Sequence, residues 1–235
     1  MGQSYFIWNG TDCRTKGIIT QGPAPIIRPE ERAQHVAVQG LSGDLTLLEG
    51  ESVYNSYIQT LSIHAKSGTA AQAAMRWLRG AGEVTFSGEP TRKQKARVIG
   101  AVTLTKHSRN SDWWSGEVQF YCHPLKSALT EPEVTVTFGQ TLTNDGDVDE
   151  KPLITLTGTG GMTVSIDGKT LTITEVTEEQ GGAVIDTDGM MVTALLTGEG
   201  MNAQTIGDFP VIPVGSFAIT FTGATCKVLR RKRWL

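Results

Sequence analysis

MTVSIDGKTLTIT, residues 162–174, alternates apolar and polar side chains on both sides of Asp167-Gly168. A period of two puts successive side chains on opposite faces of a strand. Asp-Gly between two such runs is the mark of a tight hairpin turn. The stretch therefore predicts two antiparallel strands. The same texture continues outward from it. Val134, Val136 and Phe138 alternate, then a turn falls at NDGD (144–147) and a strand at LITLTG (153–158). GAVIDTD (182–188), MMVTALLTG (190–198), SFAITFTG (216–223) and CKVLRR (226–231) follow. Roughly seven or eight short strands, with turn residues about every 8–12 positions and no helix, predict an antiparallel sandwich.

Toward the N-terminus the strands are longer. YIQTLSIHA (57–65) turns Tyr57, Leu61, Ile63 and Ala65 one way, with Gln59 among them. KARVIGAVTLT (95–105) puts Ala96, Val98, Val102 and Leu104 on one face. WSGEVQFYC (114–122) does the same with Val118, Phe120 and Cys122. Asn9-Gly10 is a second hairpin signal. One segment breaks the pattern: TAAQAAMRWLRG (69–80) is alanine-rich, follows a cap at Ser67 or Thr69 and stops at Gly80. It predicts a short helix whose stripe of Ala70, Ala74, Trp77 and Leu78 closes over a sheet. The expected fold class is mainly β with one short helix, an N-terminal β-domain followed by an antiparallel β-sandwich.

Charge divides the chain. Residues 1–130 hold 14 Lys/Arg and 10 Asp/Glu, whereas residues 131–226 hold only Lys151 and Lys169 against 14 acids. The last nine residues add five cations. This break predicts two domains, 1–130 and 131–235, with the last strand free to dock back on the first. At 235 residues, 39% apolar and 19% charged, the composition is that of a globular chain. No apolar run approaches the ~18 residues of a membrane span. MGQSYFIWNG lacks the basic start and apolar stretch of a secretory signal. Phe6 stands where a myristoylation motif needs Ser or Thr. These readings predict no membrane association.

Catalytic and metal motifs are weak. Cys13, Cys122 and Cys226 are an odd, widely spaced set without CxxC, which predicts buried thiols in strands rather than disulfides or zinc. His35, His64, His107 and His123 form no HxH, HxxxH or HExxH pair. DGDVDE (145–150) starts like a calcium loop, but Glu150 stands where glycine is required and Leu156 where glutamate is. It reads as a solvated turn before Pro152. GTGGM (158–162) and GEGMNAQTIG (198–207) lack dinucleotide-loop spacing. LRRKRW (229–234) reads as a solvated or interface strand end, with a nucleic-acid patch as the alternative. No GxSxG elbow is present. The expectation is no enzyme, no metal and no cofactor.

Six stretches form a familiar set: MGQSYFIWNG (1–10), RPEERAQHVAVQGLSGDLTLLEGE (28–51), YNSYIQTLSI (54–63), RWLRGAGEVTFSGEPTRKQKARVIGAV (76–102), WSGEVQFYCHPLK (114–126) and TNDGDVDEKPLITLTG (143–158). With them the chain resembles the distal tail protein family (Dit) of siphoviruses and prophages, closely over 1–130 and more loosely beyond. The resemblance implies an N-terminal domain that closes into a homo-hexameric ring around the DNA path. It implies a galectin-like sandwich outside the ring. It also implies a tail tube protein on one side, a tail-tip (tail-associated) protein on the other, and a place at the distal end of the virion tail after assembly in the host cytoplasm.

Two surfaces are candidates for such contacts. In QGLSGDLTLLEGES (39–52), Gly40, Gly43 and Gly50 make the chain bendable, and Leu45, Leu47 and Leu48 beside Asp44 are larger than a solvent loop needs. It is a candidate subunit arm, against an internal hairpin as the alternative. The run Arg92, Lys93, Lys95 and Arg97 is a candidate lumen or interface cluster, against a solvated hairpin end. Too few cations gather anywhere for specific nucleic-acid binding. A carbohydrate-binding module for host attachment is the competing class. Between 131 and 226, however, the only aromatics are Phe138, Phe209, Phe217 and Phe221.

Overall fold

The computed structural model describes residues 4–50, 52–223 and 225–235. The chain forms two compact units, one running to Leu129 and the other Thr130–Trp234. In the first, β1 (Phe6–Trp8) and β2 (Thr11–Asp12) form a hairpin, followed by a 3-10 turn at Cys13–Lys16 and β3 (Ile18–Thr20). Next come β4 (Ala33–Ala37), β5 (Asp44–Leu48) and β6 (Tyr57–Ala65). Helix α1 (Gly68–Trp77), β7 (Ala81–Phe86), β8 (Arg92–Lys106) and β9 (Trp114–Ala128) complete it. Seven strands form one curled sheet, ordered β2-β1-β7-β8-β9-β6-β3, while β4 and β5 pair only with each other.

The hairpin turn at Asn9-Gly10 forms because both residues take positive φ, 49° and 75°, which the short amide and the missing Cβ permit. The Asn9 side chain also accepts a hydrogen bond from Glu83 N (2.9 Å), joining the turn to β7. A Cβ at Gly82 would strike that amide, so the glycine of the helix-to-strand return is required by close approach. Helix α1 begins where Ser67 caps Ala70 N (3.1 Å). Its Ala71 and Ala74 are buried with Leu78, and the Trp77 ring stacks on Phe6 at 5.7 Å. Phe6, Trp8 and Phe86 all meet Phe120 at 5.3–6.0 Å, so the helix closes an aromatic core over one sheet face. Register shifts between Gln94 and Ala96 and between Ile99 and Thr103 bend the 15-residue β8.

Ten described strands of the second unit form two antiparallel sheets. They are β10 (Val134–Val136), β11 (Gln140–Asn144), β12 (Leu153–Thr157), β13 (Met162–Ile166) and β14 (Lys169–Ile173). Then follow β15 (Gly182–Asp186), β16 (Met191–Ala194), β17 (Thr205–Gly207), β18 (Gly215–Phe221) and β19 (Thr225–Leu229). One sheet is ordered β10-β19-β12-β15-β16 and the other β11-β18-β13-β14-β17. The hairpin at Asp167-Gly168 is β13–β14, with φ of 50° and 78° at the turn. Ile154, Leu156, Ile185 and Val228 of the first sheet and Val164, Ile166, Leu171 and Ile219 of the second share one buried core. That is a sandwich. β11 and β17 exceed the sequence expectation, as does a 3-10 turn at Asn202–Gln204.

Candidate functional site

The hairpin β4–β5 pairs Ala33 with Leu48 through Ala37 with Asp44, and it turns through Gly40 and Gly43 at φ 86° and 90°. Antiparallel pairing sorts its side chains by parity. Val36, Val38, Leu45 and Leu47 fall on one face; His35, Thr46 and Leu48 fall on the other. All of these are exposed, Leu45 at 47%, Leu47 at 48% and Leu48 at 59%. Polar contacts steady the ribbon: His35 Nδ1 to Thr46 Oγ1 (3.1 Å) and Gln34 to Glu49 (3.2 Å). A lone two-stranded ribbon is marginal in water, and this one covers no core of its own. The ribbon starts earlier than the 39–52 candidate arm, at Ala33, and the alternation of HVAV (35–38) is the signal for it.

The basic run on β8 divides. Arg92 pairs with Glu89 (3.0 Å) and Lys93 with Glu83 (3.0 Å). Lys95 and Arg97 are exposed, and Arg97 lies beside Tyr121 across the ladder. Lys126 is buried at the same end of the sheet and pairs with Glu89 at 2.7 Å. Such pairing holds half of the run's charge in place.

The tail LRRKRW and the acidic DGDVDE do not behave as their sequences suggest. Glu150 has a fully buried side chain, and its carboxylate accepts from Arg230 Nε (2.9 Å) and Nη2 (2.6 Å). Arg231 pairs with Asp186, Lys232 with Asp145 and Arg233 with Asp188, at 2.6, 2.5 and 3.3 Å. Asn144, also buried, donates to Val148 O (3.1 Å) and accepts from Gly146 N (2.8 Å). The acidic turn is thus partly core, and the basic tail is the clasp that neutralises it. Burial pushes the Glu150 carboxyl up despite Arg230. Hydrogen bonds from Arg231 and Lys232 hold Asp186 and Asp145 below the usual carboxylate range.

The three thiols are free and buried, and burial pushes Cys122 and Cys226 up to about 12. Cys13 opens a 3-10 turn rather than lying in a strand. Among the described residues, no three of His, Cys, Asp and Glu gather closely enough to hold a metal. No helix among them is long and apolar enough to cross a membrane. Of the sandwich phenylalanines, Phe217 is in the core, Phe209 and Phe221 pack against it, and Phe138 is 70% exposed.

No protein-family model matches this sequence, and no curated protein does. Solved structures do. The Dit protein of phage SPP1, described as a paradigm of the hub adsorption apparatus in phages infecting Gram-positive bacteria, is similar over 100% of both chains, at 16% identity and TM-score 0.76. The baseplate of phage P2 in its activated conformation with calcium gives 11% identity and a TM-score of 0.46, over 100% of both chains. The strontium form of the phage p2 baseplate gives 11% and 0.47, over 97% of this chain and 98% of that one. The chain has the fold of the SPP1 Dit protein across both units.

Proposed function

We propose that this chain is a distal tail protein, a structural hub of a siphovirus tail rather than a catalyst. Six copies form a ring around the DNA path, joined to the tail tube on one side and to the tail-tip protein on the other. The observation that carries this reading is the end-to-end likeness to the SPP1 hub protein, both units included. The exposed ribbon supports it. Closed rings need two different patches that meet between neighbours, and a ribbon with one aliphatic face is suited to be one of them. Gly43 and Asp44 shape its turn; Leu45 and Leu47 supply the contact. Lys95 and Arg97 are proposed to face the lumen or an acidic neighbour. The sandwich is read as a galectin-like decoration without a sugar site. The test is the mass in solution together with negative-stain images. Six times the 25.3 kDa chain and a ring with a central hole are expected. A strict monomer at high concentration overturns the reading.

A further inference from the structure

The face of the first sheet opposite the aromatic core carries two shallow depressions that meet at Ser115. One, of about 290 Å³, is lined by His64, His107, Ser111, Trp113 and Ser115. The other, of about 390 Å³, continues along β8 and β9 past Thr103, Thr105, Glu117 and Gln119. Strand alternation explains the lining. Trp114 turns inward to the core, which leaves Trp113 outside and 45% exposed, and Ser115, Glu117 and Gln119 take the following outward positions. Across the ladder, His64 and Thr105 flank Ser115, and Thr103 flanks Glu117.

The aromatic end is held in place. His64 Nδ1 and Ser115 Oγ are hydrogen-bonded at 2.9 Å, and the imidazole meets the Trp113 ring edge-on at 6.4 Å. Trp113 N donates to Ser111 Oγ (3.2 Å), and its carbonyl accepts from His107 N (2.8 Å). An indole in water, its backbone held by Ser111 and His107 and its ring met by His64, is costly to leave uncovered, and it presents a flat apolar face beside polar groups. No lysine or arginine lines either depression; Glu117 is their one carboxylate, and His64 and His107 stand at the Trp113 end. That lining has no lysine or arginine to neutralise phosphate or sulfate polymers. It matches a ligand with apolar C–H faces and many uncharged hydroxyls, since Ser, Thr and Gln can both donate and accept. From Trp113 to Gln119 the strand runs about 20 Å, room for several sugar rings.

We propose that this groove binds a neutral oligosaccharide, with the Trp113 indole as its stacking platform. The groove needs no ring to form, but Arg97 lies on the same sheet face, across from Tyr121, so a ring that turns Arg97 to its lumen turns the groove there too. Sugar titration reads the groove and the solution mass reads the hub, so either can fail without the other. The test titrates the full chain with maltotriose, cellotriose and N-acetylchitotriose by calorimetry, with a heparin tetrasaccharide as the anionic control. At least one neutral probe is expected to bind, and the anionic control is not. Trp113→Ala should weaken binding about tenfold or more, the scale of a lost aromatic contact plus its buried area. Trp113→Phe should keep most of the affinity, and far-UV circular dichroism should be unchanged in both. Failure of all three neutral probes overturns the proposal, as does equal binding by Trp113→Ala. If Trp113→Ala instead lowers the assembly mass while no sugar binds, the face is a contact between copies and the saccharide site falls.

Discussion

At the scale of single residues, Glu150 is the group whose burial most needs its partner. Taking a carboxylate fully out of water is tolerable only because the Arg230 fork meets both of its oxygens. Arg230→Met should therefore cost about 3–5 kcal/mol in urea unfolding, and the double change with Glu150→Met should recover most of that. The other tail pairs lie nearer the surface and behave differently with pH. Asp186 is held below its ordinary value, so its contribution is full above about pH 4, the unfolded carboxyl range, and is lost as pH falls through the lower folded value. Asp186→Asn should shift the urea midpoint at pH 7, by about 1 kcal/mol or less for so exposed a pair. It should shift it progressively less toward pH 2. Glu150 runs the other way. Its raised folded value makes its share full at low pH and lost as pH rises through that value.

Among the elements, the β4–β5 ribbon stands apart because it buries nothing in its own chain. Changing Leu45 and Leu47 to Asp should leave the melting temperature of the monomer nearly unmoved, within about 0.5 kcal/mol, as for other exposed sites. The same change should abolish the assembled species in gel filtration. A variant that still assembles, or that unfolds, would exclude the ribbon as a subunit arm. Elements of this kind differ in how plainly a sequence declares them. The turns at Asn9-Gly10 and Asp167-Gly168 are legible because positive φ at two successive residues leaves a chemical imprint. The helix over Ala70, Ala74 and Trp77 is legible because its period and its cap agree. β11 and β17 are not, since QTLTN and TIG are too short for alternation to register and are strands only because β18 and β14 offer them edges. The ion pairs of the tail are the least legible of all. Glu150 and Arg230 lie 80 positions apart, and nothing local marks either as buried. The Trp113 groove was missed for a related reason: its wall is assembled from three strands, and only the register brings His64 to Ser115.

For the whole molecule, the distribution of charge governs what it can hold. All five tail cations face carboxylates inside the second unit, and Arg92 and Lys93 face Glu89 and Glu83. The densest basic runs of the sequence are thus largely matched by acids, which leaves no concentrated patch for phosphates. Duplex DNA should bind more weakly than roughly 10⁻⁵ M at physiological salt. Tight, sequence-dependent retardation in a gel would exclude a passive passage. Residues 131–235 expressed alone should fold, with core amides protected from exchange, because their core and their clasp are both internal. The same fragment ending at residue 229 should not hold its structure. Strand order carries a further consequence for biosynthesis. β18 and β19, the last of these strands to be made, lie inside their sheets, between β11 and β13 and between β10 and β12. Until β18 and β19 have emerged from the ribosome, both sheets lack an inner strand, and β10, β11, β12 and β13 wait unpaired on that side. The sandwich closes only once both of these strands are available. A nascent chain stalled before β18 therefore exposes unpaired strand edges in both sheets, the kind of edge that other chains can pair with.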